Sequence, residues 1–273
     1  MATLTFIGAG NMSSSIIGGL IEQGYSPNDI TASDPNTDGL ASIHHKFGIQ
    51  TTTNNHDACQ TCDVIVLATK PQVLKQVVTE LREVITQRQT PPMIMSIAAG
   101  INCDHIQQWL DCDVAVVRCM PNTPSLVGQG ASGLYANQYT NDEQKTIAMQ
   151  LMQAVGYATW VKEESLIDTV TAISGSAPAY FFLLMEAMID AGIKQGLDKE
   201  SATQLTLQTA MGAATLAKSS DVAVDELRRR VMSPGGTTEQ AILSYEQAGF
   251  RGMVEEAMQR CAERSVEMAK DFG

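Results

Sequence analysis

The chain has 273 residues, 44% of them hydrophobic, enough for one large core or two smaller ones and too apolar for a disordered chain. Its 18 Lys and Arg against 30 Asp and Glu leave a formal charge of −12, which excludes nucleic acid and anionic membranes as general partners because the cations are too few and too scattered to track phosphates. The first residues begin a core strand with no basic segment or cleavage signal, and the most apolar helix is interrupted by Glu186 and Asp190, so the expected address is the cytoplasm.

In chain order, Leu4-Thr5-Phe6-Ile7 reads as a strand running into Gly8-Ala9-Gly10-Asn11-Met12-Ser13 and then a helix to about Gly24. A dinucleotide needs this order: Gly8 allows the tight turn, Gly10 lets backbone approach a pyrophosphate, and the N–H groups from Asn11 onward face it. Ser13 stands where the fingerprint has its third glycine, a residue still small enough for close packing of helix on sheet. The broken G-x-G-x-x-G is weak alone, and its place directly after the first strand is what supports it. Further strands are expected near 30–34, 49–52, 63–68, 93–97 and 114–119, with helical patterns between most of them. This alternation predicts a Rossmann-type, doubly wound, mostly parallel sheet.

Two more strands, near 131–136 and 155–160, flank a helix at 141–153 and complete that domain. From Glu164 onward only helices are expected, at 166–173, 178–195, 199–218, 237–248 and 251–271. The predicted division is therefore a dinucleotide-binding domain over 1–161 and an all-helical domain for substrate binding and oligomerisation over 162–273. The helix at 178–195 carries Tyr180, Phe181, Phe182, Leu183, Leu184, Met185, Met188 and Ile189, and is apolar nearly all round. Such a face needs cover, from a second subunit or from the other domain.

The six cysteines lie mostly in apolar contexts, such as Cys119 in Val116-Val117-Arg118-Cys119-Met120, and imply reduced thiols rather than a disulfide framework. Cys59-Gln60-Thr61-Cys62 has redox-motif spacing but no second pair, and the four histidines have no ligand-spaced partners. No metal is expected. Near the other end, Ser233-Pro234-Gly235-Gly236-Thr237-Thr238 runs straight into a helical pattern and makes a second anion-cradling turn. Two such turns suggest two anionic ligands.

Six segments in order carry a resemblance: Phe6-Ile7-Gly8-Ala9-Gly10-Asn11-Met12, Ala68-Thr69-Lys70-Pro71, Ser96-Ile97-Ala98-Ala99-Gly100, Arg118-Cys119-Met120-Pro121-Asn122-Thr123-Pro124, Ser174-Gly175-Ser176-Ala177-Pro178-Ala179-Tyr180 and Ser233-Pro234-Gly235-Gly236-Thr237-Thr238. Together, from residue 4 to about 265, the chain resembles pyrroline-5-carboxylate reductase. The resemblance implies hydride transfer from NADPH or NADH to the C5=N1 bond of 1-pyrroline-5-carboxylate, giving L-proline, the last step of proline synthesis. It also implies a homodimer with interlocked helical domains, often assembled further into a decamer of five dimers.

By the same resemblance, the N–H groups of Gly235, Gly236 and Thr237, in the turn opened by Ser233 and Pro234, hold the substrate carboxylate, and Thr238 places its hydroxyl at the ring nitrogen. Glu164 matches a position near the ligand, with a helix-dipole partner as its alternative reading. For the cofactor the matched residues are Ile7, Gly8, Ala9, Gly10, Asn11 and Met12 at the first turn, and Ala68, Thr69, Lys70 and Pro71 after a later strand. Ala98, Ala99 and Asn122 are expected at the nicotinamide end, and Asn55 near the adenosine ribose. For Asn122, beside Met120, a rigid Pro-x-x-Pro turn is an equal reading, and for Asn55 a surface cap.

Asp34 closes the second strand, where an acid bonds the ribose 2′-OH of NAD and repels the phosphate of NADP, yet Asp34-Pro35-Asn36 is also a natural turn. No basic residue follows before Lys46, so competent use of NADH is expected, with NADPH accepted. Ala177 replaces the family's usual glycine, a change that helix packing tolerates. Two other classes remain open. A 3-hydroxy-acid dehydrogenase would place a lysine and an asparagine in the helical half, and a nonenzymatic dinucleotide sensor would keep the first cradle without the second.

Overall fold

Strands covered on both faces read as nearly unbroken apolar runs, and three that do so lie side by side: β1 (Leu4–Ile7), β4 (Val64–Leu67) and β5 (Met93–Ser96). The computed structural model describes residues 1–272. There β2 (Ile30–Ser33), β3 (Gln50–Thr52), β6 (Val116–Met120), β7 (Gly130–Ala136) and β8 (Gly156–Trp160) join them in one sheet of order β3-β2-β1-β4-β5-β6-β7-β8. Among the described residues only β6 and β7 run antiparallel to each other, as the expectation of a mostly parallel sheet requires.

Side chains alternate between two cores with the period of two that a strand imposes. Leu4, Phe6, Val64, Val66, Met93 and Met95 face one core with α1 (Asn11–Glu22), α2 (Thr37–Phe47) and α6 (Asp142–Gln153). Ile7, Ile65, Leu67 and Ile94 face the other, with α4 (Pro71–Thr86) and α5 (Cys103–Leu110). A four-residue helix, α3 (Asn55–Ala58), follows β3. Because β2 and β4 leave β1 on opposite sides, the crevice at the carboxyl ends of β1 and β4 is the topological switch point, where open α/β sheets take their ligands.

Beyond the sheet come α7 (Leu166–Val170), a π turn (Thr171–Gly175), α8 (Ala177–Lys194), α9 (Lys199–Ser219), α10 (Val224–Arg230), α11 (Thr237–Gln247) and α12 (Phe250–Phe272). The sequence reading has no counterpart to α10. Its seven residues offer only Val224 and Leu227 at helical spacing, too short a pattern to read, and carry exposed Asp225–Arg229 and Glu226–Arg230 pairs one turn apart, a signal that periodicity does not register.

The chain forms two compact units, Met1–Ser176 with the stretch from Arg260 onward, and Ala177–Gln259. The first therefore extends past residue 161, where the sheet ends, because α7 and the π turn lie directly on β6 and β7. A Cβ built on Gly133 would stand 2.6 Å from Val170 Cγ2, and one on Gly175 would stand 2.6 Å from Met120 Cε. The end of α12 belongs there too: a Cβ on Gly100 would meet Met268 at 2.7 Å. In the second unit, α8 leaves Phe181, Phe182 and Leu183 more than half exposed. Leu166–Lys194 is also long and apolar enough to cross a membrane by length and composition.

A buried charge cluster ties these pieces of the first unit together. Arg118, 4% exposed in the middle of β6, pairs with Asp168 at 3.1 Å and Glu164 at 3.5 Å. Asp168 also accepts from Ser265 Oγ of α12 at 2.7 Å, and Glu164 from the Cys103 N–H that opens α5 at 2.8 Å. Removing the cation leaves two partly buried carboxylates without their counter-charge. Arg118→Ala is expected to lower the unfolding free energy by about 3–5 kcal/mol in a urea titration; wild-type stability would show that the cluster contributes no net stabilisation.

Candidate active site

Every residue expected at the cofactor lies at the carboxyl edge of the sheet, because each follows the end of one of the parallel strands β1 to β6. Ile7 ends β1, and Gly8 turns with φ 106°, a conformation open to glycine. Its N–H donates to Ser33 O at 2.8 Å, and a Cβ there would stand 2.8 Å from Ala68 O. Strands β1 and β4 can thus converge only over a glycine. Gly10 differs, since nothing lies within 4 Å of where its Cβ would be.

Asn11, Met12 and Ser13 open α1, which has no side-chain cap, and their N–H groups meet no acceptor among the described residues. Ser13, in the place of the third glycine, is fully buried and donates its hydroxyl to Gly8 O at 2.6 Å, so the departure from the fingerprint braces the turn. Across the crevice, Ala68 donates its N–H to Ile7 O at 2.9 Å, and Thr69 Oγ1 is buried without a partner among the described residues. Lys70 is exposed just ahead of Pro71, the first residue of α4, while Ala98 is buried and Ala99 half-buried after β5. The open space at Gly10, the uncapped N–H groups and the orphaned Thr69 hydroxyl together fit a dinucleotide with its pyrophosphate on α1.

Asp34 accepts the Ala9 N–H at Oδ2 and the Asn36 N–H at Oδ1, each at 2.8 Å, so the turn reading describes its contacts. The carboxylate still lies at the end of β2, fastened to the glycine turn. Asn55 accepts from Ser33 Oγ at 2.7 Å, and the cap of α3 is Asn54 instead.

Three expected contacts are arranged differently. Glu164 caps α5 and pairs with Arg118, so its Oε1 is held inside the first unit and serves the dipole of another helix rather than its own. Asn122 donates from Nδ2 to Ser174 O at 3.0 Å and accepts the Ala131 N–H at 2.9 Å, which occupies both ends of its amide. In the Ser233–Thr238 turn, Gly235 donates to Glu239 Oε2 at 2.7 Å and Gly236 to Ser233 O at 2.9 Å. The N–H groups left without an acceptor among the described residues are those of Thr237, Thr238 and Glu239, the first three of an α11 that has no side-chain cap. Of the three donors in the sequence reading, Thr237 is free as expected, while Gly235 and Gly236 are engaged and Thr238 and Glu239 are open in their place.

Sequence reasoning missed Arg118, Asp168 and Glu239. A charged residue in the middle of an apolar strand was the available signal for Arg118, because it demands buried partners. The cysteine pair lies just ahead of β4, at the edge of the sheet away from the crevice: Cys59 and Cys62 are buried free thiols. The hydrogen bond from the Cys59 thiol pushes Cys62 down to about 7, against burial, while the same bond and burial push Cys59 up.

A switch-point crevice fitted to a dinucleotide places the chain among Rossmann-type dinucleotide-binding proteins. Residues 164–268 match the family described as pyrroline-5-carboxylate reductase dimerisation, and residues 3–100 match NADP oxidoreductase, coenzyme F420-dependent. A pyrroline-5-carboxylate reductase of Pseudomonas aeruginosa is 52% identical over 270 residues, covering 99% of this chain and 98% of the relative. One from Vibrio alginolyticus is 43% identical, with 98% of each covered. Among solved structures, the reductase of Coxiella burnetii superposes with a TM-score of 0.93 at 41% identity, and that of Plasmodium falciparum, with NADP bound, with 0.86 at 29%; each pairing covers 98% of both chains. The chain belongs to the pyrroline-5-carboxylate reductase family. Its exposed α8 face accordingly lies within a dimerisation region.

The two turn glycines are expected to fail in different ways. Gly10→Val, projecting into open space, keeps the wild-type melting temperature and weakens dinucleotide binding at least a hundredfold by calorimetry. Gly8→Ala strains a positive φ against Ala68 O and lowers the melting temperature. Normal dinucleotide affinity in folded Gly10→Val would disprove the pyrophosphate seat.

Proposed function

We propose that the chain carries out its family's reaction, reduction of 1-pyrroline-5-carboxylate to L-proline, with two separate main-chain anion sites, α1 for the dinucleotide and α11 for the substrate carboxylate. The observation that carries this reading is the uncapped start of α11. There the N–H groups of Thr237 and Thr238 and the positive end of the helix dipole receive a carboxylate without any arginine. Glu239 keeps the loop in shape by holding the Gly235 N–H.

A neutral imine accepts hydride poorly, so the form to be bound is the iminium. Thr238 presents its hydroxyl to the ring nitrogen, orients the ring while C5 is reduced, and relays the proton that converts the new amine to its ammonium form. When bound, the reduced nicotinamide supplies the hydride. Ile7 to Met12, Ala68 to Pro71 and Asn55 hold the dinucleotide, and Ala98 and Ala99, having small side chains, let the backbone come close to its nicotinamide end. This chemistry requires no metal ion. Functionally, residues 1–161 serve the dinucleotide and 162–273 the substrate and the subunit contacts, a division supported by the dimerisation match at 164–268. The proposed setting is the cytoplasm, and the proposed assembly is a homodimer or five such dimers.

NADH is used competently and NADPH is accepted. Asp34 supports this: its negative charge is fastened to the glycine turn, its remaining lone pairs can still take a ribose hydroxyl, and no cation stands near it in sequence to bind a 2′-phosphate. Following dinucleotide oxidation at 340 nm with 1-pyrroline-5-carboxylate should give kcat/KM values for NADH and NADPH within about tenfold of each other. Asp34→Ser should move that ratio toward NADPH, and a ratio unmoved by it would remove Asp34 from cofactor choice. Thr238→Ala should leave the dinucleotide Kd unchanged while kcat/KM falls roughly ten- to a hundredfold, the loss of one hydrogen bond to a charged group. Unchanged turnover would refute the role of Thr238.

A further inference from the structure

The chain leaves its first compact unit at Ser176, directly after the π turn, and one side chain from the sheet holds that turn. Asn122, 8% exposed beyond the end of β6, donates to Ser174 O and accepts from Ala131 N–H in β7. The Ser174 carbonyl has a specific need for this donor. An α-helix would satisfy it with the N–H four residues later, and that residue is Pro178, which has none. Packing closes on the same turn, where the absent side chain of Gly175 makes room for Met120 of β6. A π turn within a helix is rare, and such turns gather at functional places.

We infer that Asn122 is a positioning residue for the family's reaction, acting through Ser174 on the turn that leads into the substrate-carrying helices, and is not a ligand of the dinucleotide. The inference rests on the reading of Ser233–Thr238 as the substrate cradle. With the latch made, residues 171–175 hold one conformation beside the carboxyl end of β6. Without it the turn has several, and each ligand still binds while the alignment of C5 for hydride transfer is lost.

Wild-type turnover of 1-pyrroline-5-carboxylate, measured first, tests the functional reading by itself. Asn122→Asp then removes only the donor, since its carboxylate can still accept from Ala131. We expect a dinucleotide Kd within twofold of wild type and a kcat at least tenfold lower at pH 8. The ratio of variant to wild-type kcat should recover as pH falls, because a protonated carboxyl can again donate to Ser174. The double variant Asn122→Asp/Pro178→Ala should regain at least threefold in kcat, the second change restoring an N–H four residues after Ser174. A tenfold weaker dinucleotide Kd, an unchanged kcat, or no regain in the double variant would each overturn the inference. If Asn122→Asp does not fold, Asn122→Ala, which puts no charge in the pocket, bears the same expectations apart from the recovery with pH.

Discussion

The first N–H groups of an α-helix have no partner within the helix, and the anion sites proposed for this protein depend on where they are left open. In α2, α3, α5, α6 and α9 the side chains of Asn36, Asn54, Asn102, Asn141 and Asp198 accept from them. In α1 and α11 a glycine stands at the cap position and has no side chain to accept from them. In a chain with a net charge of −12, poor in cations, these main-chain donors are the proposed seats of its two anionic ligands. The positive charge it needs is partial, local and fixed in direction.

The sheet is what aims the first of these sites. Parallel strands all end on the same edge, so turns far apart in sequence converge there, and Gly8 lets β1 and β4 close to a distance that any Cβ would prevent. Ser13 and Asp34 brace that turn from two sides, by hydrogen bonds to Gly8 O and Ala9 N–H. The residue proposed to bear on cofactor choice is therefore also part of the glycine turn.

Away from the crevice, polar side chains inside the first unit mainly hold its parts in register. Arg118 joins β6 to α7 and, through Asp168, to α12, while Glu164 closes the start of α5. Asn122 does the same for the π turn. A buried polar group must find a partner, so each of these contacts specifies one arrangement of elements that hydrophobic packing alone would leave freer.

By itself the sequence determined the alternation of strands and helices, the glycine turns before α1 and α11, and the reductase family. The first two are legible because periodicity and backbone conformation are settled among neighbouring residues; the family follows from motifs in a fixed order. Short α10 escaped because seven residues with two apolar positions, Val224 and Leu227, are too few to show a period. Only the tertiary structure decided which polar atoms remain free for ligands. Glu164 meets Cys103 across 61 residues and Asn122 meets Ser174 across 52, so nothing local marks either side chain as already engaged. Glu239 lies only four residues from Gly235, yet either a ligand or the chain itself can take that N–H, and only the folded turn decides between them.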